Sequence, residues 1–168
     1  MSTRFSLGAA LLLLILTPVL AFAQGKPPGK GADACTLASK TEIEQTIAVK
    51  LQDGVKNPKM QNPGVLSSCD YKTGDGGTVS VLIRQNPTKY VPGTEKDAFE
   101  KQGMKLRYVN GLGTTAAFID MFGMGTGMFV FRGDYDYVQV SAMMVGGDAK
   151  TLPDRIEKLT RLVLERWK

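Results

Sequence analysis

The chain has 168 residues, a formal net charge of +5 and no histidine. The absence of histidine excludes Ser-His-Asp and Cys-His catalysis and histidine-ligated zinc, so we expect neither an acyl-transfer enzyme nor a zinc hydrolase. The positive charge is mild and its lysines and arginines are scattered, which argues against a nucleic-acid partner.

Residues 1–23 have the pattern of a secretory signal peptide. Arg4 precedes an apolar run over residues 7–20, and Ala21-Phe22-Ala23 supplies the small residues of a cleavage site. The alternative is an uncleaved membrane anchor, but the run is shorter than the ~20 residues that span a bilayer, and Pro18 interrupts it. We therefore expect a periplasmic or secreted protein with no stable membrane anchor after cleavage.

The remaining chain divides into a short leader and one domain. Residues 24–33 are rich in Gly, Pro and Lys and cannot bury apolar surface, which predicts a flexible leader. Residues 34–168 are enough for a single core, and we expect one domain there. In an exported chain, Cys35 and Cys69 predict one disulfide. The alternative is a pair of redox-active thiols, although the chain has no Cys-x-x-Cys motif.

A capping box predicts the start of the first helix. The hydroxyl of Ser39 can accept from the amide of Glu42, while the Glu42 carboxylate accepts from the Ser39 amide. Apolar residues follow on one face at four-residue spacing: Ile43, Ile47 and Leu51. Gly54 is the predicted C-cap of this helix.

Alternating apolar residues and a glycine-rich turn then predict a β-hairpin, with strands over residues 66–71 and 78–85 and a turn over 73–77. A short middle helix is expected to begin with Thr94 as its N-cap and to stop at Gly103. Further strands are predicted over residues 105–109, 115–119, 129–131 and 137–144.

The last helix is predicted over residues 152–166, with Thr151 as its N-cap and Pro153 in its first turn. Strands joined by tight turns imply an antiparallel sheet. The expected fold class is α+β: about five to six strands packed with N- and C-terminal helices, plus one short middle helix. The sequence leaves open whether both terminal helices cover one face or each covers a different face.

Residues 121–128 form a glycine- and methionine-rich stretch, which predicts a flexible connection between strands. Met121, Phe122, Met124 and Met128 are our candidates for a ligand or partner loop. The thioethers of its three methionines are soft ligands of the type that selects Cu(I). Methionines that fill core gaps would explain the same pattern, and we predict no cofactor.

Carboxylates are the remaining catalytic candidates. Asp134 and Asp136 lie two positions apart beside a predicted turn, where paired acids could act in general acid–base chemistry. Solvated acids in a turn are the competing explanation.

Several short motifs together resemble a protein family. They are Cys35-Thr36-Leu37, the helix with Glu42-Ile43, Cys69-Asp70-Tyr71, the Gly-Gly hairpin, Val109-Asn110-Gly111-Leu112-Gly113 and a C-terminal helix. In this order they are similar to an uncharacterised two-cysteine group of small bacterial secreted proteins and lipoproteins, which resembles the PsbP-like α/β/α sandwich fold. The resemblance implies an extracytoplasmic binding or accessory module rather than an enzyme. The chain lacks the lipidation cysteine of the group's lipoproteins, and no site residues carry over.

We therefore predict an exported, non-catalytic binding or accessory protein whose partner is an unknown protein or small ligand of the cell envelope. A periplasmic copper-binding protein that uses the methionine-rich loop is the first alternative. An enzyme that uses carboxylates only is the second.

Overall fold

The computed structural model describes residues 32–57, 64–86 and 88–167. The predicted signal peptide and most of the predicted leader lie outside the described residues. Four helices lie in the described ranges: α1 (Ala34–Leu37), α2 (Lys40–Ile47), α3 (Thr94–Glu100) and α4 (Leu152–Arg166). The strands of these ranges are β1 (Val55–Lys56), β2 (Val65–Lys72), β3 (Thr78–Gln85), β4 (Lys105–Val109), β5 (Thr115–Asp120), β6 (Gly125–Arg132) and β7 (Asp136–Met143).

The strands described form one open sheet in the order β1-β2-β3-β7-β6-β5-β4, and all neighbours are antiparallel. β2 and β3 are a hairpin, and β4 to β7 are a meander. The hairpin joins the meander where β3 pairs with β7, from Thr78 opposite Met143 to Gln85 opposite Asp136. The α+β class and the order of the three predicted helices, α2, α3 and α4, are confirmed, whereas the short helix α1 was not predicted. The short edge strand β1 was not predicted, and with it the described sheet has seven strands rather than five or six.

The two faces of the sheet carry different layers, because successive side chains of a strand point to opposite faces. One face, which we call the α4 face, packs against α1, α2 and α4. It holds the larger core, which includes Ile43, Val81, Val130, Val140, Ile156 and Leu159. The opposite face, which we call the α3 face, carries a smaller and more aromatic cluster: Leu82, Tyr90, Ala117, Ile119, Phe129, Phe131 and Tyr137. Both terminal helices therefore cover the same face, a choice that the sequence left open. No helix of the described ranges has the length and apolar character needed to cross a membrane.

Helix α2 begins as predicted but ends earlier. The amide of Glu42 donates to the Ser39 hydroxyl at 3.3 Å, and the Ser39 amide donates to the Glu42 carboxylate at 2.9 Å. Ala48 then adopts the left-handed conformation, with φ of 61°, and its amide bonds to the Glu44 carbonyl. Gly54 is therefore not the C-cap. A Cβ there would lie only 2.5 Å from the Tyr71 ring, so close packing explains this glycine.

The starts of α3 and α4 also differ in detail from the prediction. Gly93, with φ of 96°, is the N-cap of α3 in place of Thr94. Helix α4 has the predicted bounds, but the Thr151 hydroxyl donates to the Asp148 carbonyl at 3.1 Å instead of accepting from the helix. Neither helix therefore has the side-chain cap that the sequence predicts.

The predicted disulfide between Cys35 and Cys69 is present, with their Cα atoms 5.1 Å apart. Cys69 is fully buried in β2 and Cys35 lies in α1, so the bond fixes α1 against the sheet. Tyr71, two positions along β2, supports the same contact, since its hydroxyl donates to the Ala38 carbonyl at 3.0 Å. Asp33, the last residue of the predicted leader, is the N-cap of α1 and accepts from the Cys35 amide at 3.1 Å.

Removing the disulfide should destabilise the fold. We expect the double variant Cys35→Ser/Cys69→Ser to lose about 3 to 4 kcal/mol of unfolding free energy, because the bond closes a 34-position loop in the unfolded chain. Urea denaturation measures the loss, and the reduced wild-type protein is the control that should match the variant. An unchanged denaturation midpoint would contradict the structural role given to this bond.

An ion pair joins the start of α2 to the end of α4. Arg166 Nη1 donates to Glu42 Oε2 at 2.8 Å, and Nη2 donates to Oε1 at 2.5 Å. These bonds, together with those from Ser39, lower the pKa of Glu42 from its ordinary value of 4.5 to about 2.

This shift predicts a pH dependence of stability. The folded-state pKa lies below the unfolded value, so the contribution of Glu42 is complete above pH 4.5 and is lost as the pH falls toward about 2. We expect the unfolding free energy to fall across that window, and to fall less in the variant Glu42→Gln. Urea titrations at a series of pH values check this, and parallel curves for the wild type and the variant would refute it.

Candidate functional site

Half of the glycine- and methionine-rich stretch is strand. Residues 125–128 are the first half of β6, and only residues 121–124 form the turn from β5. The Met124 amide donates to the Met121 carbonyl at 3.0 Å, while Phe122 and Gly123 both have positive φ, at 58° and 73°. Positive φ at both central residues is typical of the type I′ hairpin turn. The prediction of a flexible connection over all eight residues is therefore wrong.

The glycines of β6 permit close approach to neighbouring groups. A Cβ on Gly125 would lie 2.1 Å from the Ala142 carbonyl oxygen, and one on Gly127 would lie 2.8 Å from Met121 Cε. Because no side chain fits between Gly125 and β7, glycine at this position serves strand packing rather than mobility.

The structure does not bring the three candidate methionines together. Met128 is fully buried on the α4 face, and Met121 packs in the cluster of the α3 face. Met124 is 49% exposed at the turn. The strand alternation that separates Met121 from Met128 leaves no three-thioether set for Cu(I). Within the described ranges, no group of three or more His, Cys, Asp or Glu side chains could hold a metal ion either.

The predicted carboxylate pair is divided between two ion pairs. Asp134 meets Lys89 Nζ at 3.0 Å, whereas Asp136 meets Arg132 Nη2 at 3.2 Å. Each acid therefore has its own cation at the turn between β6 and β7, and the two carboxylates serve different contacts.

A groove lies along the β4 edge of the sheet, beside the turn. It has a volume of about 390 Å³, and its lining comes from β4, β5, the turn and the region where α4 begins: Lys105, Leu106, Arg107, Phe118, Asp120, Gly123, Gly125, Thr126, Ala149, Leu152 and Pro153. Strand pairing puts Lys105 opposite Asp120 and Arg107 opposite Phe118, on the α4 face. Because α4 packs on β6 and β7, the floor at β4 and β5 extends beyond the helix. We call this site the β4–α4 groove.

The β4–α4 groove combines an apolar floor with positive charge. Phe118 is 4% exposed, and the Arg107 guanidinium carbon lies 4.3 Å from the centre of its ring. Among the described residues, neither Arg107 nor Lys105 has a carboxylate partner in an ion pair. Asp120 also lines the groove, and its Oδ1 accepts from the Gly123 amide at 3.0 Å. The acid thus stabilises the turn, and the charges of the lining sum to a positive value.

A smaller cavity of about 100 Å³ adjoins the groove and shares Gly123, Gly125, Ala149 and Leu152 with it. Met124 lines this cavity. Of the four predicted loop residues, Met124 therefore lies beside the groove, Phe122 is exposed at the turn, and the other two belong to the apolar layers.

Comparison with protein-family models, curated proteins and solved structures found no match for this chain. The resemblance to PsbP-like proteins therefore stays a prediction.

Sequence reasoning did not select Lys105, Arg107 or Phe118. Arg107 and Phe118 meet only because β4 pairs with β5 in one register. One signal was present in the sequence: β4 alternates cationic residues at 105 and 107 with apolar residues at 106 and 108. In a strand, that alternation places both cations on the same face.

The turn itself provides a stability test. Phe122 is 60% exposed, and its backbone adopts the left-handed conformation. This conformation costs a bulky residue about 1 kcal/mol. Asn-Gly is the favoured pair at the centre of a type I′ turn. We expect Phe122→Asn to raise the unfolding free energy by about 1 kcal/mol in urea denaturation. Tyr135→Asn, which also replaces an exposed aromatic residue in a turn, is the matched control and should give no gain. A loss of stability in Phe122→Asn would contradict the argument from backbone strain.

Proposed function

We propose that this chain is an exported, non-catalytic binding protein that holds a small anionic ligand with an apolar part in the β4–α4 groove. One observation carries the proposal. The buried ring of Phe118 lies beneath the Arg107 guanidinium, and neither this cation nor the neighbouring Lys105 has a carboxylate partner among the described residues.

The groove offers both parts of such a ligand a matching surface. Its volume of about 390 Å³ falls within the range of small-molecule sites, which are mainly apolar with a few polar groups. Contact with Phe118 and Leu152 would remove the apolar part from water. Arg107 would supply charge-assisted hydrogen bonds to the anion. Because the Phe118 ring already orients this guanidinium, binding would cost less side-chain entropy.

Export is supported by the predicted signal peptide and by the Cys35–Cys69 bond, which is typical of an oxidising compartment. A binding role without catalysis is supported by the lack of histidine, the most common general base. The carboxylate that lines the groove, Asp120, is bonded to the turn rather than to a second acid.

Octanoate is a suitable probe for the groove, with octylammonium as its cationic counterpart. We expect octanoate, and not octylammonium, to shift the amide resonances of groove residues such as Phe118 and Thr126 in heteronuclear NMR of the purified protein. The variant Arg107→Gln should weaken octanoate binding by about tenfold or more, because it removes a charge-assisted hydrogen bond.

Arg84→Gln is the matched control, since Arg84 lies on the opposite face of the sheet. This variant should bind octanoate as the wild type does. Equal binding of octanoate and octylammonium, or full affinity in Arg107→Gln, would refute the proposed site.

A further inference from the structure

A second cleft lies on the α3 face, between α3 and strands β3, β6 and β7. Its volume is about 460 Å³, and its lining includes Arg84, Lys89, Tyr90, Glu95, Phe131 and Tyr137. We call it the α3 cleft. It shares no lining residue with the β4–α4 groove.

Aromatic rings give the α3 cleft flat apolar surfaces. Tyr90 stacks on Phe131, with ring centres 3.6 Å apart and planes within 6° of parallel. Tyr137 meets the same Phe131 ring edge-on, at 5.0 Å between centres. Aromatic rings favour stacked and edge-on contacts of this kind. The ring of an aromatic ligand in the cleft could therefore make the same contacts with the lining.

Glu95 holds the wall of the cleft in place. It is 6% exposed, and its carboxylate accepts from the Tyr90 hydroxyl at 2.7 Å, the Gly93 amide at 2.9 Å and the Tyr108 hydroxyl at 3.0 Å. Burial, and then the bonds to Glu95, raise the pKa of each of these tyrosines to about 12, so both remain donors near neutral pH. The carboxylate of Glu95 thus accepts hydrogen bonds from the wall of the cleft and does not form an ion pair with the described residues.

Arg84 is the cation of the α3 cleft that lacks a partner. Its side chain makes no ion pair or hydrogen bond with the described residues, and its Nε is buried without an acceptor. Tyr137 lies opposite Arg84 in the β3–β7 pairing, and the charge of Arg84 opposes the rise that burial causes in the pKa of the Tyr137 hydroxyl. Lys89, by contrast, is paired with Asp134 at 3.0 Å.

A buried donor without an acceptor is rare in native proteins and calls for an explanation. Gly64 lies beside this atom, since a Cβ there would be 3.4 Å from Arg84 Nε. Two described neighbours of Arg84 are thus Gly64 and Tyr137, and neither has a carboxylate to pair with it. A ligand that brings its own anion would complete this environment.

We propose that the α3 cleft is a second ligand site, which binds a flat aromatic carboxylate. Its ring lies against Tyr137 and Phe131, and its carboxylate pairs with Arg84. The aromatic lining distinguishes this ligand from the one proposed for the β4–α4 groove, and neither proposal depends on the other.

The probe for this site is 2-naphthoate, with 2-naphthalenemethanol as the neutral analogue of similar shape. We expect 2-naphthoate to shift amide resonances of the α3 cleft and to bind about tenfold or more tightly than the alcohol. Arg84→Gln should abolish that preference, whereas Arg84→Lys, which keeps the charge, should retain part of it. Arg107→Gln is the control and should leave the shifts that 2-naphthoate causes in the α3 cleft unchanged, because the two sites share no lining residue.

Three outcomes would overturn the proposal. They are no detectable 2-naphthoate binding, equal affinity for the acid and the alcohol, and shifts that lie in the β4–α4 groove and vanish in Arg107→Gln. If thermal unfolding shows that Arg84→Gln does not fold, the acid-to-alcohol comparison in the wild type and in Arg84→Lys still decides. The octanoate experiment can fail without affecting any of these results.

Discussion

The alternation of side chains along β6 connects the two apolar layers of the molecule. Met128 and Val130 are fully buried under α4, whereas Phe129 and Phe131 belong to the aromatic cluster near α3. A slip of one residue in the pairing of β6 would exchange these two sets and place each in the wrong layer. The same pairing sets Phe118 opposite Met128. The register of this one strand therefore shapes both cores and the floors of both proposed sites.

The two sites arise because the helices cover only part of each face. Helix α4 packs mainly on β6 and β7, and the groove lies where the helix gives way to β4 and β5, while α3 is a single short helix on the other face. At each site, an aromatic ring adjoins an arginine without a carboxylate partner among the described residues, Arg107 in one case and Arg84 in the other. Both sites thus combine an aromatic ring with an arginine, and they differ in the rings that line them.

Local signals in the sequence predict most of the fold. The capping box at Ser39 and the glycine-rich hairpin turn involve residues that are close in sequence, and both are confirmed. Prediction fails where the reason for a residue lies on a distant strand. Gly125 is required by the carbonyl of Ala142, yet in the sequence it resembles a loop glycine. The contact between Arg107 and Phe118 likewise depends on strand register, which no local pattern records.

The pairing of β3 with β7, which we call the seam, also has a consequence for how the chain folds. The β2–β3 hairpin and the β4–β7 meander each join strands that are consecutive in the chain, but Thr78–Gln85 must find Asp136–Met143 across the whole middle of the sequence. Closing so long a loop costs conformational entropy before the pairing is gained, so this encounter should limit the folding rate. Cys35 and Cys69 both precede the seam and cannot shorten that search. The cross-link therefore strengthens the finished fold, while the speed of reaching it depends on a step that the cross-link does not touch.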